Sequence, residues 1–384
     1  MQSFAPLVLV MCISMLAFAV PARVAAVVIA PDSFHAPATR RMSGVPSVAV
    51  SPSGRCLWAT WYAGKTNGED SNNYCVLAMS SDEGRTWKEV LIADPDGDGP
   101  IRSFDSEVWV APDGDLRWTW TERRVELRGS GNVRYPKRLD GRDGDRLMMV
   151  AMNSERVPMA PYPKARDIGA GVMMCKPIVL RNGHWLFPVA YWEGPMSAHV
   201  LKATKEGRNF TPIGGVTIPP WVRECEEHNL VELANGHVRA YMRTRPGPCG
   251  CWVSESADGG VTWDDPRPAN FPHTNARLFV RRLKSGRLLL VKNGPLDKDV
   301  GRKRLSAFLS EDDGRTWKGE LVLAKDSCAY PDGDQMPDGT IVIVYDNDRY
   351  ERQDIHLVRF TEEDVFAGKN VSGRVVLDGI VFSR

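Results

Sequence analysis

The chain has 384 residues, with 49 Lys and Arg against 48 Asp and Glu and a formal net charge of +1. That balance excludes a broad cationic surface for nucleic acid or for an anionic membrane. Apolar residues make up 43% of the chain, the ordinary share for a globular protein, and no segment after the first twenty residues is apolar for long enough to span a bilayer as a helix.

The predicted elements begin with a leader. Leu7 to Val20 is almost wholly apolar and is followed by small residues, with cleavage open after Ala17-Phe18-Ala19 or after Val24-Ala25-Ala26. This reads as a signal peptide over 1–26, although Met1 to Pro6 has neither Lys nor Arg. The mature protein is then expected to be secreted or periplasmic, with no membrane segment, as one domain over 27–384. Within it a turn dipeptide ending in Gly recurs, each time before an apolar or aromatic run. Ser53-Gly54 precedes Arg55 to Trp61, and Asp113-Gly114 precedes Asp115 to Trp120. Asn182-Gly183 precedes His184 to Trp192, and Asn235-Gly236 precedes His237 to Arg243. Ser285-Gly286 precedes Arg287 to Asn293, and Asp338-Gly339 precedes Thr340 to Tyr345. Each is a hairpin signal.

A second motif, Ser-x-Asp-x-Gly-x-Thr-Trp, occurs at Ser80 to Trp87, Ser256 to Trp263 and Ser310 to Trp317. Its Ser and Asp can bond nearby backbone N–H groups, its Gly supplies a permissive φ, and its Trp can cover the turn. The motif is therefore structural. The Gly turns recur at intervals of about fifty to seventy residues, which marks a propeller or an array. Six hairpins with these boxes predict an all-β fold, a six-bladed β-propeller of four-stranded blades.

Cysteines carry little. With Cys12 in the leader, seven remain, and an odd number cannot all pair. Cys56 and Cys75 would lie on neighbouring strands of blade one, where a disulfide is open. Cys249-Gly-Cys251 has no second Cys or His cluster beside it, so neither metal catalysis nor a cofactor is expected.

The Gly turns join first to second strands and the boxes join third to fourth, so both fall on one face. Chemistry belongs on the other face, on the starts of first strands and the loops after second strands. Those segments set arginines beside carboxylates: Arg41, Arg102, Asp105, Glu107, Lys176, Glu226, Glu227, Arg277, Tyr330 and Asp332 on first strands, and Glu69, Asp70, Arg243, Arg302, Asp346 and Arg349 in the loops. Such a cleft suits an acidic ligand.

The Ser-x-Asp-x-Gly-x-Thr-Trp box resembles the repeat of bacterial neuraminidases, the sialidase superfamily. The resemblance implies an exo-glycosidase acting on a glycan that carries sialic acid or a related acidic sugar. Its catalytic set would be a Tyr nucleophile assisted by Glu, an Asp acid/base, and arginines on the substrate carboxylate. Glu227-His228-Asn229-Leu230-Val231-Glu232-Leu233 is similar to the family's glutamate segment, and Tyr241-Met242-Arg243 to one of its arginine segments. Arg302, eight residues before Ser310, stands where a second arginine does. Ala329-Tyr330-Pro331-Asp332 matches the tyrosine segment, and Glu69-Asp70 the acid/base loop, which makes Tyr330, Glu227 and Asp70 the implied catalytic residues. A neutral phenol suits a substrate whose anomeric carbon bears a carboxylate, which would repel a carboxylate nucleophile; the phenol then needs a base beside it.

One element departs from the family. Gly44, in Ser43-Gly44-Val45-Pro46-Ser47, stands where the family's first arginine is expected. Arg41 just upstream, Lys176, Arg277 and Arg349 are the remaining cationic candidates for substrate contact. The departure keeps two alternatives open: a hydrolase or lyase for a different acidic sugar, and a non-catalytic glycan-binding propeller.

Overall fold

A computed structural model describes residues 28–127, 133–134, 144–191, 198–247 and 249–384. The expected leader and the end of the His184–Trp192 run lie outside the described residues. Six antiparallel sheets follow one another along the chain as the six blades of a β-propeller. From the inside outwards, blade one is Met42–Val50, Leu57–Gly64, Tyr74–Ser80 and Lys88–Ala93, with Val28–Ile29 added on its outer edge. Blade two is Ile101–Val110, Asp115–Arg124, Arg146–Asn153 and Arg166–Ala170. Blade three is Ile178–Val179, Trp185–Ala190, Ala198–Ala203 and Thr211–Val216, and blade four is His228–Glu232, Val238–Arg243, Cys251–Ser256 and Arg267–Pro268. Blade five is Phe279–Arg282, Leu288–Asn293, Leu305–Ser310 and Lys318–Ala324. Blade six is Cys328–Gln335, Ile341–Asn347, Asp354–Phe360 and Val376–Phe382.

The turns form as their composition demands. Gly54, Gly114, Gly183, Gly236, Gly286 and Gly339 all have φ between 73° and 90°, a region other residues enter only at a cost. In the boxes, the Asp carboxylate accepts from the Thr backbone and hydroxyl, as at Asp82 from Thr86 N (2.9 Å) and Oγ1 (2.6 Å). The Ser hydroxyl accepts from the Gly N–H, 2.9 Å at Gly84, 2.7 Å at Gly260 and 2.7 Å at Gly314. These bonds hold the Asp82 and Asp312 carboxyls down to about 2. In blade six a short helix, Glu362–Ala367, stands between the third and fourth strands where other blades carry a box. Thr361 and Asp364 cap it reciprocally. Cys56 and Cys75 are not joined, and the seven cysteines of the described residues are all free thiols.

The inner strands meet around a polar plug rather than an apolar one. Arg277, just before the inner strand of blade five, donates to Glu107 Oε1 of blade two (2.7 Å), Pro46 O of blade one (2.8 Å) and Tyr330 O of blade six (3.1 Å), and also to Met174 O, which precedes blade three. Lys176 pairs with Asp332 and donates to Ser47 Oγ (3.1 Å). None of these four charged side chains exceeds 2% exposure. Blade six is tied to blade one by carboxylates that accept from its inner-strand N–H groups: Asp346 from Val45 (3.0 Å), Asp332 from Val48 (2.9 Å) and Asp334 from Val50 (2.9 Å). These side chains supply acceptors for an edge that has no ladder partner across the blade boundary.

Just above the plug the inner strands bulge. Register breaks fall between Gly44 and Ser47, Phe104 and Glu107, and Ala329 and Asp332. In each bulge one non-glycine residue has positive φ: Val45 at 55°, Asp105 at 48° and Tyr330 at 54°. Such residues cost on the order of 1–3 kcal/mol each and persist only where the surroundings hold them.

Replacing Arg277 with Met should leave Glu107 buried and unpaired, at a cost of about 3–5 kcal/mol. The midpoint of urea denaturation reads that loss, and adding Glu107→Gln to the same chain should recover part of it. A midpoint unchanged by Arg277→Met would show that the plug does not hold the blades.

Candidate active site

Tyr330 lies at the centre of the face opposite the Gly turns. Its side chain is nearly buried, at 6% exposure for the residue, and the bulge carries it above the plug. The phenol oxygen accepts from Arg243 Nη1 (3.1 Å) and Arg302 Nη2 (3.4 Å). Arg243 ends the second strand of blade four, and Arg302 lies in the loop after the second strand of blade five. The guanidinium carbon of Arg349, from the corresponding loop of blade six, lies 4.2 Å from the centroid of the Tyr330 ring. Three arginines from three blades therefore surround one phenol.

Glu227 joins this group through Arg243, whose Nη1 donates to Glu227 Oε1 at 2.6 Å. One guanidinium nitrogen thus bridges the carboxylate and the phenol. Glu227 Oε2 is buried and has no hydrogen-bond partner among the described residues. The neighbouring glutamates are engaged elsewhere: Glu226 with Arg223 at 2.6 Å, and Glu224 with Arg245 at 3.4 Å. Burial would lower the Arg243 pKa, but Glu227 and Tyr330 beside it raise it above the ordinary value. Asn275 sets both arginines, its side-chain oxygen accepting from Arg243 Nε (2.8 Å) and its backbone carbonyl from Arg302 Nη2 (3.0 Å).

The loop after the second strand of blade one contributes two adjacent carboxylates with different surroundings. Asp70 is folded into its own loop. Thr66 donates to its Oδ2, while Asn72 donates to Oδ1 from its backbone (2.9 Å) and its side chain (3.3 Å). Glu69 faces the arginines, 3.2 Å from Arg349 Nη1 and 3.7 Å from Arg102 Nη2. Burial alone would raise the Glu69 pKa, but those two cations bring it below the ordinary carboxylate range. Asp105 behaves oppositely. Burial, reinforced by the negative charge of Glu69 and only partly offset by Arg102, pushes it up to about 8.

The remaining cationic candidates lie elsewhere. Lys176 and Arg277 sit in the plug, the Lys176 Nζ and the two Arg277 Nη atoms engaged by Asp332, Glu107 and backbone carbonyls. Arg41 is exposed, its backbone bonded to Gly64 O, and it enters none of the pairs around Tyr330. Its neighbour Arg40 is held by Glu89 at 2.5 and 2.7 Å. The structure thus brings Tyr330, Glu227, Arg243, Arg302 and Arg349 together. Asn275 was not singled out from the sequence, and nothing in its local pattern marks it. A separate cleft of about 390 Å³, lined by Ile178, Leu230, Phe279, Arg281 and Lys284 among others, runs between the inner strands of blades three to five towards the Gly-turn face. Tyr330 does not line it.

The BNR repeat-like domain matches residues 162–343. A search of curated protein sequences returns no match. Among solved structures, the chain is similar to a Hadza microbial sialidase, at 16% identity over 85% of this chain and 67% of the other, with a TM-score of 0.66. It is similar to an intramolecular trans-sialidase from Ruminococcus gnavus, at 14% identity over 88% of this chain and 98% of the other, with a TM-score of 0.61. A protein of unknown function from Dyadobacter fermentans matches at 20% identity over 84% and 94%, with a TM-score of 0.59. Similarity at these identities establishes shared architecture, and it agrees with the resemblance carried by the three boxes. The chain is thus a six-bladed propeller that shares its fold with these sialidase structures and matches the BNR repeat-like domain over residues 162–343.

Proposed function

We propose that the protein is an exo-acting glycosidase of sialidase type that removes a terminal acidic sugar from glycans. The observation that carries this reading is the Tyr330 phenol, held by Arg243 and Arg302, with Glu227 on the same Arg243 nitrogen. The phenol must give up its proton as it attacks, and Glu227, on the same guanidinium nitrogen as the phenol oxygen, is the carboxylate assigned to receive it. Arginines around the nucleophile stay charged and match a carboxylate bidentately. Attack by Tyr330 at the anomeric carbon, followed by water, gives double displacement with retention. Export through the leader over 1–26 belongs to the same proposal, and N-terminal sequencing of the mature protein checks it.

For the proton donor, Asp70 has the expected place in the chain. A second assignment, Asp105, is favoured by its environment. Asp105 is raised to about 8 and is protonated at neutral pH, whereas the Asp70 oxygens are occupied by Thr66 and Asn72. A donor is needed most when the leaving group is poor.

Three outcomes are expected. Turnover of the methylumbelliferyl α-glycoside of N-acetylneuraminic acid should fall by more than about 10³-fold in Tyr330→Phe, as for a group that acts as one unit with its partners. No turnover by the wild type on this or on other acidic-sugar glycosides would remove the hydrolase reading. Asp105→Asn should lose about 10²–10⁴-fold on a sugar-linked sialoside yet retain most turnover of the aryl glycoside, which needs no protonation. Wild-type kcat on the sugar-linked substrate should also fall as pH rises through about 8, because the donor must carry its proton. The same selective loss in Asp70→Asn instead would return the role to the blade-one loop.

A further inference from the structure

We propose that Arg349 of blade six supplies the cationic contact to the substrate carboxylate on the blade-one side of the site, and that Gly44 is the residue that seats it. This inference rests on the acidic-sugar reading and concerns the same site. Gly44 is buried in the inner strand of blade one. A Cβ at that position would lie 2.9 Å from Arg349 Cβ, 2.9 Å from Asp346 Oδ2 and 3.2 Å from Arg349 Nε. Gly44 itself does not have positive φ, so space rather than backbone conformation requires glycine here. The Arg349 side chain occupies the volume that any side chain at position 44 would need.

The backbone around Gly44 is bonded to the same segment of blade six, the end of its second strand and the loop that follows. Ser43 N donates to Arg349 O at 3.0 Å, and Val45 N donates to Asp346 Oδ2 at 3.0 Å. Asp346 Oδ2 also lies 3.0 Å from Arg349 Nη2, so one carboxylate orients both the arginine and the strand it packs on. The guanidinium then lies over the Tyr330 ring, with Arg243 and Arg302 at the phenol oxygen. Of the two carboxylates paired with Arg349, Asp346 is 3% exposed and fixed, while Glu69 is 38% exposed and sits in a loop. A substrate carboxylate would compete with Glu69 for Arg349 and leave Asp346 in place.

The test measures affinity by isothermal titration for two probes, N-acetylneuraminic acid and its methyl ester, which differ only in the carboxylate charge. The chains are wild type, Arg349→Met, Arg349→Lys, Gly44→Ala and the Gly44→Ala/Arg349→Met double variant, with thermal melts to confirm folding. The wild type should prefer the acid. Arg349→Met should weaken acid binding by about ten- to a hundredfold, the value of a charged hydrogen bond, and leave the ester within about twofold. Arg349→Lys should recover part of the preference. Gly44→Ala should lose the preference by displacing Arg349, and the double variant should be little worse than either single one, because the two residues act through one contact. An acid-to-ester ratio in Arg349→Met equal to that of the wild type overturns the inference, as does an equal loss for both probes. Additive losses in the double variant overturn the link to Gly44. A wild type that binds neither probe overturns the acidic-sugar reading and this inference with it.

Discussion

Arg277 is the residue on which the arrangement most depends. It begins in blade five and bonds groups that belong to or precede blades one, two, three and six, at a depth where its exposure is 2%. A guanidinium suits this place because its five N–H groups fan out in one plane and so bridge carbonyls that point inwards from several blades. A buried charge gives little net stability unless all its partners are present. The same requirement makes it a device for positioning, since the blades must close correctly before its bonds are made. Glu107 shows the balance: burial and the nearby Asp332 push its pKa up despite the arginine beside it.

The plug also connects scaffold to chemistry. The carbonyl of Tyr330 is one of the oxygens Arg277 holds, while the phenol of the same residue is held from above by Arg243 and Arg302. Tyr330 is thereby fixed at both ends in a backbone conformation it would otherwise leave. Val45 and Asp105 have the same conformation in equivalent bulges, and Val45 N is bonded by Asp346. The strain is thus concentrated around the mouth of the tunnel, next to the charged cluster. The Gly turns and the boxes on the opposite face contribute only the rigidity of the hairpins, which leaves the second-strand loops free to carry Glu69, Arg243, Arg302 and Arg349.

Much of this was legible in the sequence, and the remainder was hidden for definite reasons. The six blades could be counted because a Gly turn needs positive φ at one position and leaves the same dipeptide each time. The three boxes showed which strands a turn joins, and so which face was free. Tyr330, Glu227 and Arg243 could be picked out because their segments resemble those of the neuraminidases, and Arg302 because it also stands eight residues before its box. Depth could not be read. Arg277 and Arg302 both read from the sequence as cationic candidates for the cleft, yet one is in the plug and the other is exposed beside the phenol. Nor could the sequence separate Glu69 from Asp70, since a local turn folds one carboxylate inward and leaves the other facing the arginines. The meaning of Gly44 is a matter of space between two blades 300 residues apart in sequence, which no local pattern records. The capped helix in blade six was present as Thr361-x-x-Asp364, but a single short helix has no repeat to reveal it.

The most direct measurement is a crystal structure of the wild-type protein with N-acetylneuraminic acid bound. The account predicts the sugar on the face opposite the Gly turns, its carboxylate among Arg243, Arg302 and Arg349 and its anomeric carbon above the Tyr330 oxygen. A sugar bound in the cleft between blades three to five, or one whose carboxylate points to solvent away from these arginines, would contradict it.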